Sequence, residues 1–382
     1  MKRYMIFFQV IMLLFTGCGK SDVGTYKEVS AEWRAFSGAF GLPKEKWKES
    51  QVVYEDRVMD FQDPVIEEML RNMIGKLEGD VYISDLQDIH AIYGRGGYYS
   101  NLQSEDGGIP RGEGTEGPWE TKQPESLEDL AYCYNLQYIS FGGSMKVPSL
   151  KPLYQLPLLE TLEFWGASIT EERLREVSEL SGLKTIIFGP SKLASLESLC
   201  KLPQLECLEF ERTVVTEEVL EDIGKLPALK KLRIGNGEGT PWGHLTDGSF
   251  LLPIAGQLTE LWAAGGIDWN PEVLAQMTQM ETLMIDYTDY VSFLEQMPEL
   301  KKLYLYCCRP SDWSALGSLE NLEYLNIGGN SRMKVEIELE DLSPLTNLDY
   351  LEVTFTSIND EHSRKEILET LPSLTGLVTQ LF

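Results

Sequence analysis

From Leu136 to Thr379 the chain repeats one short phrase, apolar-x-x-apolar-x-apolar. Its copies begin at Leu136, Leu159, Leu183, Leu205, Leu229, Leu258, Met280, Leu300, Leu322, Leu348 and Leu374, eleven in all. Successive starts lie 23, 24, 22, 24, 29, 22, 20, 22, 26 and 26 residues apart. Side chains alternate along an extended strand, so the last two apolar residues of each phrase point to one side and the residues between them to the other. Each phrase therefore predicts a short strand with one buried face. The segments between phrases carry apolar residues of their own, such as Leu193, Leu196, Leu199 and Leu202 ahead of Leu205. No single unit can bury its apolar edge alone, whereas stacked units share one continuous core and form a curved parallel sheet.

Several return segments read as helices. Thr170-Glu171-Glu172 precedes Leu174, Val177 and Leu180, and Thr216-Glu217-Glu218 precedes Leu220, Ile223 and Leu226. Thr caps exposed amides, and the paired Glu residues suit the positive end of the helix dipole. Asn270-Pro271-Glu272 makes a third start, with proline at the first helical position. The 20- and 22-residue units leave room only for single turns or extended chain. Phrase and period together resemble leucine-rich repeats. The resemblance implies an α/β leucine-rich-repeat solenoid over residues 127–382, with the sheet on the concave side and mixed helical and extended segments on the convex side.

Residues 51–93 read as a separate small unit. Phe61-Gln62-Asp63-Pro64 leads into Ile66-Glu67-Glu68-Met69-Leu70-Arg71, and Val81-Tyr82-Ile83-Ser84-Asp85-Leu86 follows. This resembles the helical N-terminal cap of bacterial surface leucine-rich-repeat proteins, in which a Phe-x-Asp segment opens a helix and a strand with an Asp-Leu step comes next. A cap covers the sheet edge and apolar flank that the first repeat would expose. Residues 94–126 are rich in Gly among Glu, Asp and Ser, which predicts a loop. They carry no Gly-Lys-Ser or Gly-Lys-Thr, so no phosphate site is read into them. The last phrase, Leu374 to Thr379, is uncharged, and as an edge strand it needs cover from the preceding turn or from a partner.

The first residues add an address. Met1-Lys2-Arg3 is basic, Tyr4 to Phe15 is apolar, and Thr16-Gly17 are small residues before Cys18. That order describes a secretory signal over residues 1–17, and its apolar run is shorter than the ~20 residues of a membrane span. Phe15-Thr16-Gly17-Cys18 resembles the bacterial lipobox, with Phe15 in place of the usual Leu. The resemblance implies a diacylglycerol thioether on Cys18 and a lipid-anchored tether over residues 18–50, on the extracytoplasmic side of a bacterial membrane.

Charge and chemistry then narrow the function. Lys and Arg number 33 against 60 Asp and Glu, for a net charge of −27, and no basic run occurs. This charge disfavours nucleic acid as a partner and leaves cationic or neutral partners open, beside the plainer reading that acidity keeps an exported protein in solution. Of six cysteines, Cys133, Cys200, Cys207, Cys307 and Cys308 lie in the repeat region with neither zinc-ligand nor disulfide-framework spacing. Only three histidines exist, His90, His244 and His362, and neither a His-Glu-x-x-His nor a Gly-x-Ser-x-Gly sequence is present. Ser181-Gly182-Leu183-Lys184 matches a serine-lysine pair in form only, because Leu183 opens a repeat strand. Glu336, Glu338 and Glu340 alternate on one side of a segment without calcium-loop spacing. No catalytic residue, metal or cofactor is assigned.

What remains is the concave face. Its outward positions include Tyr138, Trp165, Trp262, Tyr304, Tyr306, Tyr324 and Tyr350, mixed with Glu163, Glu209, Glu211, Glu260, Asp286 and Glu352. Rigid aromatics bury much area at low entropic cost, and their faces attract cations. At ~4.8 Å per strand, eleven strands offer a face about 50 Å long, which suits a protein, a peptide or a glycan chain. The expectation is a monomeric, membrane-tethered binding module rather than an enzyme. Three alternatives stay open: rings that stack on one another and bind nothing, an adhesive envelope component that self-associates, and a carboxylate-dependent glycan hydrolase.

Overall fold

The computed structural model describes residues 47–92, 123–142, 145–211, 213, 215–234, 246–263, 267–330 and 332–379. The signal sequence, Cys18, residues 18–46 of the tether, residues 94–122 of the glycine-rich segment and His244 lie outside the described residues. The chain forms two compact units. The first holds the described residues through Asp222 together with Leu226–Ala228, and the second holds Ile223–Lys225 and everything from Leu229 onward.

The first unit opens with helix α1 (Pro64–Ile74), whose N-cap Asp63 accepts hydrogen bonds from the N–H groups of Val65 and Ile66. Pro64 at the first helical position and Gly75 in the left-handed conformation at the end define its limits. The second Asp63 oxygen accepts from the N–H groups of Glu125 and Ser126. Asp129 in turn accepts from the N–H groups of Gln62 and Asp63, so two carboxylates fasten cap to repeats. Residues 123–126, placed in the loop by composition, are thus tied down at their end. Residues 47–50 also dock: Ser50 N–H donates to Asn135 Oδ1 and Lys48 N–H to Gln137 Oε1.

One cap expectation fails. Val81–Leu86 is not a strand; Tyr82 forms a single antiparallel bridge with Val58, and Ile83–Leu86 is a 310 turn. Asp85 is the cause, because its carboxylate accepts from Tyr82 N–H while its own N–H donates to Tyr82 O, folding the chain back on itself.

Strands β1 (Ala91–Ile92), β2 (Tyr138–Gly142), β3 (Thr161–Trp165), β4 (Thr185–Phe188) and β5 (Cys207–Phe210) pair in parallel, each with its sequence neighbours. The register is strict: Ile139, Leu162, Ile186 and Leu208 align, as do Phe141, Phe164, Phe188 and Phe210. The four Phe rings are fully buried and stack at centroid separations of 5.6, 5.8 and 5.7 Å. Helices α2 (Glu171–Val177) and α3 (Glu217–Ile223) occupy the expected return segments, and Thr170 Oγ1 caps α2 by accepting from Arg173 N–H. The intervening shorter return is a 310 turn, Glu197–Lys201.

The second unit continues the plan with β6 (Lys231–Ile234), β7 (Glu260–Ala263), β8 (Thr282–Asp286), β9 (Lys302–Tyr306), β10 (Tyr324–Gly328), β11 (Tyr350–Glu352) and β12 (Gly376–Val378), all parallel and in sequence order. Each of the eleven phrases thus supplies one of the strands β2 to β12. Asn270 Oδ1 accepts from Glu272 N–H to start helix α4 (Pro271–Leu274), and the shorter returns are 310 turns at Ser292–Gln296 and Ser314–Ser318. Helix α5 (Leu339–Leu342) precedes β11, while α6 (Ser357–Glu361) and α7 (Arg364–Thr370) precede β12. Arg364 donates to Leu377 O at 2.9 Å, so the return before the last strand reaches over part of it.

Candidate functional site

Strand alternation places the functional candidates in rows across neighbouring strands, on the side opposite the Leu and Phe core. In the first unit one row runs Tyr138, Thr161, Thr185 and Cys207, and the next runs Ser140, Glu163, Ile187 and Glu209. The Tyr138 hydroxyl donates to the Glu163 carboxylate on the adjoining strand. Trp165 aligns with Gly142, and its ring packs close to Gly189, where an added Cβ would come within 2.6 Å of Cε3. A side chain at Gly189 would therefore displace the indole. Tyr138, Glu163 and Glu209 are buried, while Trp165 and Glu211 are half-buried.

In the second unit the central row runs Arg233, Trp262, Met284, Tyr304, Asn326, Glu352 and Val378. Rings of this row and the adjacent one lean on each other within and between rows: centroids are 4.9 Å apart for Trp262 and Tyr304, 4.9 Å for Tyr304 and Tyr324, and 4.5 Å for Tyr324 and Tyr350. The last pair is stacked with its rings nearly parallel, 6° apart. Tyr350 extends over Gly376, where a Cβ would sit 2.4 Å from its Cδ2. Trp262, Asp286, Tyr304 and Tyr324 are buried, and Glu260, Tyr306, Tyr350 and Glu352 are half-buried.

None of the thirteen candidate residues is fully exposed. Four of the rings stack on one another, so part of their area is already spent within the sheet face. The face is also not purely aromatic and acidic. Lys231 and Arg233 on β6 and Lys302 on β9 share it, and Lys231 pairs with Glu260. Alternation alone marks these positions, and it marks Asn326 beside them, although Asn326 is neither aromatic nor charged.

At β9 to β11 the polar groups converge. Asn326 Nδ2 donates to the Tyr306 hydroxyl at 3.2 Å, and Asn326 lies opposite Glu352 in register. Asn326 Oδ1 and the Tyr324 hydroxyl are buried without a hydrogen-bond partner. Burial pushes the Glu352 carboxyl up to about 7 and raises the Tyr306 and Tyr324 phenols further above their ordinary value.

The remaining chemical candidates are accounted for structurally. Lys184 Nζ is held by Glu160 at 2.9 Å, and Leu183 between it and Ser181 is buried in the core. His90 stacks on Trp47 at 4.4 Å and places Nε2 3.0 Å from Glu49, closing the cap. Burial pushes the Cys133 thiol up to about 12 and raises that of Cys308, which removes them from thiolate chemistry at neutral pH. Glu336, Glu338 and Glu340 are exposed, and Glu338 begins α5 in a capping box with Asp341. Among the described residues no three His, Cys, Asp or Glu side chains converge as a metal site would require.

No family model matches the chain, and no curated protein matches it. Solved structures do. An internalin (inlF) from Listeria monocytogenes is 18% identical over 83% of this chain and 89% of its own, with a TM-score of 0.50. Internalin C2 (inlC2) from the same organism is 18% identical over 74% of this chain and 100% of its own, with a TM-score of 0.40. A plant peptide hormone receptor, RGFR1 in complex with RGF2, is 14% identical over 65% of this chain and 44% of its own, with a TM-score of 0.37. At such identities likeness speaks to fold alone, and the inlF match joins the in-register parallel strands and their returns in making this chain an α/β leucine-rich-repeat solenoid.

Proposed function

We propose that this chain is a protein- or peptide-binding module that works as a monomer through the outward face of its leucine-rich-repeat sheet. In this reading it is exported and held to the extracytoplasmic side of a bacterial membrane by acyl chains on Cys18. The observation that carries the binding role is the run of rings Trp262, Tyr304, Tyr324 and Tyr350, which ends beside the Asn326 amide and the Tyr324 hydroxyl with unmet hydrogen-bonding capacity. Interlocked rings present a rigid surface that loses little entropy on binding, and buried polar atoms beside it reward a matching ligand. A net charge of −27 favours a basic partner.

The test is capture of a defined partner from cell-surface and wall extracts by the full chain, set beside two variants. One carries Trp165→Ala, Trp262→Ala and Tyr304→Ala; the other carries Tyr154→Ser and Leu252→Ser, two exposed positions on return segments. Circular dichroism verifies that both remain folded. Loss of the partner from the first variant with retention by the second is the expected result. Equal capture by both, or loss from the second alone, would move the binding surface off the sheet face.

A further inference from the structure

Buried polar groups normally find partners, and those that do not mark strain or a missing ligand. On the outward face of the second unit two such atoms sit together on β10. Asn326 is 1% exposed and its Oδ1 has no partner; Tyr324 is 8% exposed and its hydroxyl has none. Asn326 Nδ2 donates to the Tyr306 hydroxyl, which leaves the amide oxygen as the unmet atom. Glu352 stands opposite Asn326 in register, and burial is the sole cause of its raised pKa, with no hydrogen bond or positive charge offsetting it. Unmet capacity here is therefore mostly acceptor capacity, with one negative charge, beside the stacked faces of Tyr304, Tyr324 and Tyr350.

Resting on the binding role given above, we propose that Glu352, Asn326 and Tyr324 form a subsite that receives a cationic side chain, a lysine ammonium or an arginine guanidinium, of the protein or peptide partner. A cation brings only donors, which match the Asn326 oxygen, the Tyr324 oxygen and the carboxylate. It also neutralises a carboxylate that burial otherwise disfavours, and it gains from the tyrosine faces. A carboxylate or phosphate ligand would meet acceptors and a like charge. An aliphatic side chain would leave the amide and carboxylate unmet.

The charged and titratable groups on the same face of the neighbouring strands are Tyr324 on β10 and Lys302, Tyr304 and Tyr306 on β9, while β12 presents Gly376 and Val378. With the Tyr306 and Tyr324 phenols raised above their ordinary value, Glu352, at about 7, is the group with a shifted pKa that falls between pH 5 and pH 8.

The test uses the full chain and four blocked pentapeptides, Gly-Ser-X-Ser-Gly, in which X is lysine, norleucine, arginine or citrulline. Affinities are measured by calorimetry at millimolar peptide, at pH 5 and pH 8. The charged peptides should bind about tenfold more tightly than their neutral counterparts at pH 8, and the preference should shrink at pH 5. Glu352→Gln should abolish the preference, while Glu340→Gln, which removes an exposed carboxylate from α5, should retain it. Equal affinity for charged and neutral peptides, absence of binding by all four, or a preference that survives Glu352→Gln would overturn the subsite. Partner capture that depends on the sheet face but survives Glu352→Gln would sink the subsite while leaving the binding role standing. A charge preference without any captured partner would do the reverse.

Discussion

Glu352 shows how a single side chain can be held against its own preference. Its folded pKa of about 7 lies above the ordinary 4.5, so the protonated form is the one the fold favours. The stability it contributes is present below pH 4.5 and is lost as pH rises toward 7, a change of about 3 kcal/mol that levels off above that. Glu352→Gln is expected to be more stable than the native chain by up to that amount at pH 8, with the two converging near pH 4. Chemical unfolding across the pH range checks it, and parallel curves would contradict it. Gly189 acts by absence instead. Gly189→Ala forces Trp165 off the sheet, so its fluorescence should shift to longer wavelength as the indole gains water. Both positions stand on alternation that the sequence displays. That its surroundings raise the Glu352 pKa with nothing offsetting the shift is not legible, because it depends on what packs around the carboxyl in the folded sheet. The same holds for Trp262 and Tyr304, which read as solvent-facing in the sequence and are 4% and 2% exposed.

At the level of elements, carboxylates late in return helices bind the start of the previous return. Glu176 in α2 accepts from Leu150 N–H and from the Ser149 hydroxyl, and Asp222 in α3 accepts from Leu196 N–H and from the Ser195 hydroxyl. Burial alone would raise the Glu176 pKa, but Arg173, Leu150 N–H and Ser149 together outweigh it and hold the carboxyl low. Glu176→Ala leaves Leu150 N–H and Arg173 without this acceptor and should destabilise the first unit by about 2 kcal/mol, read as a lower denaturant midpoint. An unchanged midpoint would mean water replaces the carboxylate. Thr170 and Asn270 announced their helices as caps, since the side chain that starts the helix is itself in the sequence. Ser363 and Glu366 form a capping box at α7 with the Ser-x-x-Glu spacing, a signal equally visible though it fell outside the repeat pattern. Val81–Leu86 misled because the resemblance to the cap implied a strand there, whereas the deciding bond, from Tyr82 N–H to the Asp85 carboxylate, is local to this segment.

For the whole molecule, eleven phrases foretold eleven strands because each strand's inward residues must fill the same core layer. The two-residue β1 escaped because Ala91 and Ile92 are too few to show a period. The division into cap and repeats is bridged by Asp63 and Asp129, a link between distant segments that only folding brings together. In the proposed reading, acyl chains on Cys18 decide where the protein works. Cys18→Ser is expected to abolish incorporation of labelled palmitate in a bacterial host and to move the chain from the membrane to the soluble fraction. Labelling that persists would show the acyl chain lies elsewhere or not on this protein. The register across β8, β9 and β10 has a consequence for the length of the array. Thr282, Lys302 and Tyr324 align, as do Leu283, Leu303 and Leu325, so β8 already matches β10 position for position. A gene that lost or duplicated the stretch encoding one such unit would still specify strands that fit. Removing or duplicating one such unit by design is therefore expected to leave the flanking strands in register.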